Sequence, residues 1–130
     1  MKAKILLIDD DRDMCEELSE ILESSGYYVR AAYDGLAGKA LSDEQKFDII
    51  FLDLRMPGIS GLDVLKSLRA EKRDVKILVI TGNPLVKVIT EGDAMYEDDK
   101  EEVLTLADGI MHKPVDIEKV LTKLDELLQK

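Results

Sequence analysis

Five short apolar runs punctuate the chain: Ile5 to Ile8, Val29 to Ala32, Ile49 to Leu52, Ile77 to Ile80, and Gly109 to Met111. Each is of strand length and continuous rather than alternating, the pattern of a strand covered on both faces. Helical spacing fills the intervals. Met14, Leu18, Ile21 and Leu22 recur every three or four residues, with Gly26 placed as a C-terminal cap. Asp34 stands as an N-cap before Leu36, Ala37, Ala40 and Leu41, and Ser60 before Leu65 and Leu68. Val120, Leu121, Leu124, Leu127 and Leu128 make a last apolar stripe. Strands alternating with helices predict an α/β fold: a parallel sheet with right-handed crossovers between two helix layers, five strands and five helices in all.

Composition adds the setting. A chain of 130 residues, 45% hydrophobic and with three prolines, fits one compact domain over 1–130. The net charge of −10 sets nucleic acid and anionic membranes aside as direct partners, since both would repel it. A single cysteine, Cys15, precludes an internal disulfide, and the N-terminus has neither a signal-peptide nor a spanning-helix pattern, so a cytoplasmic protein is expected. The acidic run Glu97 to Glu102 reads as a solvated loop and helix start.

Charge becomes informative where it meets the strand ends. Ligands of an open parallel sheet collect outside the carboxyl ends of its strands. There this sequence places Asp9 and Asp10 after the first run, Asp53 after the third, Thr81 after the fourth, and Lys113 with Pro114 after the fifth. Like charges about 4 Å apart repel by about 1 kcal/mol even in water, and more at a protein rim. Three gathered carboxylates therefore call for a cation, and hard oxygens suit Mg²⁺. The structural alternatives are specific: Asp11 as the cap of the next helix, Thr81 as an ordinary strand-end threonine, Lys113 as a surface lysine. Asp53 resists such a reading, because an acid directly after four apolar residues needs a partner or a task. His112 directly precedes Lys113 on a strand and has no partner histidine or cysteine for metal, so its placement reads as incidental, and Cys15 falls within a helix pattern as a packing or surface residue. Met56, Pro57, Gly58 and Gly61 read as a tight loop keeping Asp53 accessible.

Together, Asp9 and Asp10, Asp53 in "DLRMPGISG", Thr81 in "ILVITG" and Lys113 in "HKPV" give a sequence that resembles the receiver domain of bacterial two-component response regulators along essentially its whole length. The resemblance implies a CheY-like, flavodoxin-like doubly wound sheet of order 2-1-3-4-5, with Asp53 as phosphoacceptor. It further implies Mg²⁺ held by Asp10, Asp53 and the backbone carbonyl of Arg55, with Asp9 assisting through water. Thr81 and Lys113 would contact the phosphoryl group, and the Lys113–Pro114 bond would be cis. A sensor histidine kinase or histidine phosphotransfer protein would be the donor and a downstream protein the recipient of the signal, with a homodimer left open. The domain would assist its own phosphorylation without being an enzyme in the ordinary sense.

Two features depart from that pattern. Ile110 stands where the family usually carries a Tyr or Phe that moves with phosphorylation, and a β-branched aliphatic side chain has no ring or hydroxyl to exchange between environments. The interval from Thr81 to Lys113 is also longer than the family's usual connection, which predicts a remodelled segment over Leu85 to Lys100. Two other readings compete with a phosphorylatable switch. A phosphatase of the haloacid dehalogenase type would want a second acid where Arg55 stands. A receiver-like interaction module indifferent to phosphate would have little use for an intact acid pocket.

Overall fold

The computed structural model describes residues 2–54, 61–71, 74–81 and 103–129. They form β1 (Lys4–Ile8), α1 (Arg12–Ser24), β2 (Tyr28–Ala32), α2 (Gly35–Glu44), β3 (Ile49–Asp53), α3 (Gly61–Ala70), β4 (Lys76–Thr81), a helical turn α4 at 103–106, β5 (Gly109–His112) and α5 (Ile117–Leu128). All strands pair in parallel, in the order β2-β1-β3-β4-β5. This is the flavodoxin-like arrangement that the family resemblance implies.

Continuous apolar strands are what two helix layers demand, because successive side chains of a strand point to opposite faces. Ile5, Leu7, Ile49, Phe51, Leu78 and Ile80 pack against Cys15, Leu18 and Leu22 of α1 and Val120, Leu124 and Leu127 of α5. Leu6, Ile8, Ile50, Leu52, Ile77 and Val79 pack on the other side against Val64, Leu65 and Leu68 of α3 and Val103 of α4. Substituting any of these by alanine leaves a cavity and costs about 2–5 kcal/mol for a leucine or isoleucine.

The helix ends follow local chemistry. Asp11 caps α1 by accepting the Met14 N–H at 3.1 Å, Asp34 caps α2 through the Ala37 N–H at 2.7 Å, and Asp116 caps α5 through the Glu118 N–H. Gly26 ends α1 with φ +97°, a left-handed conformation that a side chain would disfavour. Ser60, proposed above as the cap of α3, lies outside the described residues, as do Arg55 to Gly58, Leu85 to Lys100, and Glu97 to Glu102.

Two helical stripes differ from the sequence reading. Ile21 is exposed, and the buried row of α1 is Cys15, Leu18 and Leu22. In α2 the expected stripe of Leu36, Ala37, Ala40 and Leu41 is rotated: Gly35, Gly38 and Ser42 are buried and Leu36 is 66% exposed. The helix approaches β1 so closely that a Cβ on Gly38 would stand 2.6 Å from the Ile8 side chain. Small residues, invisible to a hydrophobicity pattern, carry that contact.

At the amino edge of the sheet, Arg69 of α3 ties three elements together. Its Nε donates to Leu106 O at 2.6 Å, one Nη to Val75 O at 2.9 Å and the other to Asp108 Oδ2, which also accepts the Ile77 N–H at 2.8 Å. We expect Arg69→Met to lower stability by about 2 kcal/mol, the scale of hydrogen bonds to a charged group, in urea unfolding. Arg69→Lys should recover less than half of this, since an ammonium cannot span the same acceptors.

Cys15 is fully buried and its Sγ donates to the Asp9 carbonyl at 3.6 Å. Burial first, then the charges of Asp9 and Asp11, push the thiol from its ordinary 9.0 up to about 12. The unfolded chain therefore releases this proton at lower pH than the folded one. The contribution is complete below about pH 9 and is lost as pH rises toward 12. Relative to Cys15→Ala, the wild type should lose stability over that window in urea unfolding, and its thiol should resist iodoacetamide at pH 8 until the protein unfolds.

Candidate functional site

The register of the central strands places the acids. In the β1–β3 pair, Ile8 stands opposite Leu52, so the residues that follow, Asp9 and Asp53, emerge side by side at the carboxyl edge. Asp9 is 3% exposed and is fixed through its backbone: its N–H donates to Ala32 O at 3.0 Å. Its Oδ1 accepts the Asp11 N–H at 2.9 Å, which folds the turn back on itself. Asp53 ends β3 at 2% exposure, whereas Asp10 is exposed to solvent. One carboxylate oxygen from each of Asp9, Asp10 and Asp53 lies within 4.8 Å of the others. Asp11 takes the capping role that the sequence left open to it.

Lys113 brings the counter-charge from beyond β5. Its Nζ lies 2.9 Å from Asp9 Oδ2, 3.1 Å from Asp9 Oδ1, and 3.7 Å from Asp53 Oδ2. Burial by itself lowers the pKa of this ammonium, but the hydrogen bond and charge of Asp9, with Asp53 and Asp11, outweigh it and hold the group above its ordinary range. The Lys113–Pro114 peptide is cis. The 2.9 Å approach to Asp9 Oδ2 is a charge contact outside hydrogen-bond geometry. That buried oxygen accepts no hydrogen bond, while Oδ1 accepts from Lys113 at 3.1 Å. Two buried carboxylates thus share one ammonium, the exposed Asp10 stands beside them, and the three acids outnumber the single positive charge. Hard oxygens in this number and charge fit Mg²⁺, which favours carboxylates and keeps much of its own water.

The remaining expected residues divide. Thr81 ends β4, paired with His112 of β5, which brings its backbone to the same edge; its side chain and all of Arg55 lie outside the described residues. His112 is exposed on the edge strand. Ile110 is half-buried and packs on the α3 side of the sheet. Two contacts have no counterpart in the sequence reading. One is the Cys15 thiol on the Asp9 carbonyl. The other is Arg12, whose guanidinium lies 4.2 Å from the ring centroid of Tyr33, next to the Ala32 carbonyl that holds Asp9. Both arise between elements, and no local motif marks them.

Comparison with known proteins agrees with this geometry. The family described as response regulator receiver domain matches residues 5–125. The DNA-binding dual master transcriptional regulator RpaA of Synechocystis is 33% identical over 98% of this chain and 49% of its own length. The chain spans about half the length of the curated relatives it matches. Among solved structures, a CheY-like response regulator receiver domain protein of Methanospirillum hungatei superposes with a TM-score of 0.85 at 25% identity, covering 99% of this chain and 95% of that one. The response regulator TrrA of Thermotoga maritima, in complex with Mg²⁺ and BeF, gives a TM-score of 0.80 at 29% identity over 98% of this chain and all of that one. Receiver domains bind Mg²⁺ at an acidic pocket and accept phosphate in two-component signalling, and with its sheet order, its acid cluster and this match, the chain belongs to the response regulator receiver family.

Proposed function

We propose that residues 1–130 form one receiver domain whose phosphoacceptor is Asp53, charged by a sensor histidine kinase or a histidine phosphotransfer protein. The observation that carries this reading is the buried Asp53 carboxylate 3.7 Å from the Lys113 ammonium, in a cluster with Asp9 and Asp10. An Asp53 oxygen attacks the phosphorus of a phosphoimidazole. The O–P bond forms, the P–N bond breaks, and its electron pair leaves on the imidazole nitrogen. The carboxylate is already an anion and needs no general base. Transfer passes through a loose transition state with charge spread over the phosphoryl oxygens, so positioning and fixed positive charge do most of the catalysis. Lys113 supplies such a charge at the correct edge, and Thr81 ends the neighbouring strand where its hydroxyl would donate a hydrogen bond.

Mg²⁺ would be held by Asp10 and Asp53, with the Arg55 carbonyl and, through water, Asp9; when bound it supplies divalent charge to the phosphoryl oxygens. In this role the domain assists its own phosphorylation and then favours a different partner. A cytoplasmic setting goes with such a donor, and no helix among the described residues is long and apolar enough to cross a membrane. The recipient of the signal is a downstream protein or a second copy of the chain. A phosphate-independent interaction module is the second reading. Ile110 favours it, because without the usual aromatic the switch must run through backbone displacement after Thr81.

Incubation with acetyl phosphate and Mg²⁺ should add one phosphoryl mass, seen by intact-mass measurement, and Asp53→Asn should abolish it. Asp10→Asn should weaken Mg²⁺ by at least tenfold in calorimetry. Retention of the full adduct in Asp53→Asn would reassign the acceptor. An unphosphorylated wild type would instead favour the interaction module.

Lys113→Ala should slow phosphorylation at saturating Mg²⁺ by more than tenfold while changing Mg²⁺ affinity less. It should also lower metal-free stability by about 2 kcal/mol, less than a fully buried pair because the ammonium is partly exposed. Added Mg²⁺ should restore most of that loss. Lys113→Arg should not recover the rate, since a planar fork does not replace a compact charge.

A further inference from the structure

The chain leaves β3 at Asp53, passes Leu54 and begins α3 at Gly61, whose N–H donates to Leu54 O at 3.2 Å. That bond brings the start of the helix onto the strand end carrying the buried acid. The approach is closer than any side chain allows. A Cβ built on Gly61 would lie 2.1 Å from the Asp53 carbonyl oxygen, 2.5 Å from Leu54 Cα and 2.8 Å from the Asp53 carbonyl carbon. All three are backbone atoms, which cannot rotate aside as the tip of a side chain can. Alanine is the better helix former, so what excludes it here is steric.

We propose that Gly61 is a positioning residue for the phosphoacceptor: its missing side chain lets α3 seat against the Asp53 backbone and thereby sets where the Asp53 carboxylate stands relative to Asp9 and Lys113. The inference rests on the reading of Asp53 given above. A Cβ can be accommodated only if the Asp53 backbone and the start of α3 move apart, by roughly 1 Å if the contact is to reach ordinary packing distance. The carboxylate moves with its backbone. Asp9 is held separately, by Ala32 O and the Asp11 N–H, so the share of the displacement that the strand end takes falls on the distances between the acids. Reactions of this kind are sensitive to misplacements of that size.

The test compares Gly61→Ala with Val64→Ala, one turn further along α3, where a buried core side chain is trimmed and no atom is added against the Asp53 backbone. Gly61→Ala is expected to weaken Mg²⁺ binding by at least tenfold and to slow acetyl phosphate labelling at saturating Mg²⁺ and donor by a similar factor. The donor concentration for half-maximal rate should stay unchanged. Val64→Ala is expected to be less stable but to keep both Mg²⁺ affinity and labelling rate within twofold. If the two variants behave alike, Gly61 serves packing alone and the proposal is overturned. Should Gly61→Ala fail to fold, amide hydrogen exchange of the wild type decides. Coupling between sites is reciprocal, so Mg²⁺ must raise protection of the Gly61 amide by more than it raises that of Leu68 in the same helix. Equal increases overturn the proposal. A wild type that neither binds Mg²⁺ nor gains phosphoryl mass refutes the phosphoacceptor reading itself, and this inference with it.

Discussion

Mutual repulsion among Asp9, Asp10 and Asp53 is the constraint around which the carboxyl edge is organised. Two of the three are nearly inaccessible to solvent, where like charge is least screened. Such a cluster persists only if the backbone holds it in place and positive charge is supplied. The backbone part is met by the β1–β3 pairing, by Ala32 O on the Asp9 N–H, and by the Asp11 N–H on Asp9 Oδ1. The charge part is met by Lys113, which arrives from the far side of the sheet, with β4 between its strand and β3.

That geometry explains why a parallel sheet is used. Only parallel strands end together at one edge, so that Asp9 and Asp10 after β1, Asp53 at the end of β3 and Lys113 after β5 meet although they are far apart in sequence. The opposite edge must then be closed independently. Arg69 does so by joining α3 to the segments that enter β4 and β5, while Asp48 pairs with the Lys4 backbone at the start of β1. Arg69 and Asp48 therefore fasten the amino edge without drawing on the acids of the opposite one.

The same division bears on signalling. On the reading proposed above, an acyl phosphate at Asp53 would add charge at an edge already rich in it, and the response would be a rearrangement of the elements that meet there. Ile110 offers packing on the α3 side of the sheet but no polar handle. On that same reading, a switch would run through backbone displacement more than through a rotating ring, and the close seating of α3 on Asp53 is one place where the strand end and a helix meet.

Much of this was determined by the sequence by itself. Continuous apolar runs announce two-sided burial, and Asp11, Asp34 and Gly26 announce helix ends, because these signals are local and operate over a few residues. The candidate site was legible for the same reason, since position at a strand end is enough to collect Asp9, Asp10, Asp53 and Lys113. Tertiary structure alone decided which face of α2 is buried, that Cys15 reaches the Asp9 carbonyl, that Arg12 lies over Tyr33, and that Gly61 touches the backbone of Asp53. Those contacts join elements whose separation is set by how closely helices approach the sheet. That distance is governed by small side chains and hydrogen bonds, which leave no periodic trace in the order of hydrophobic and polar residues.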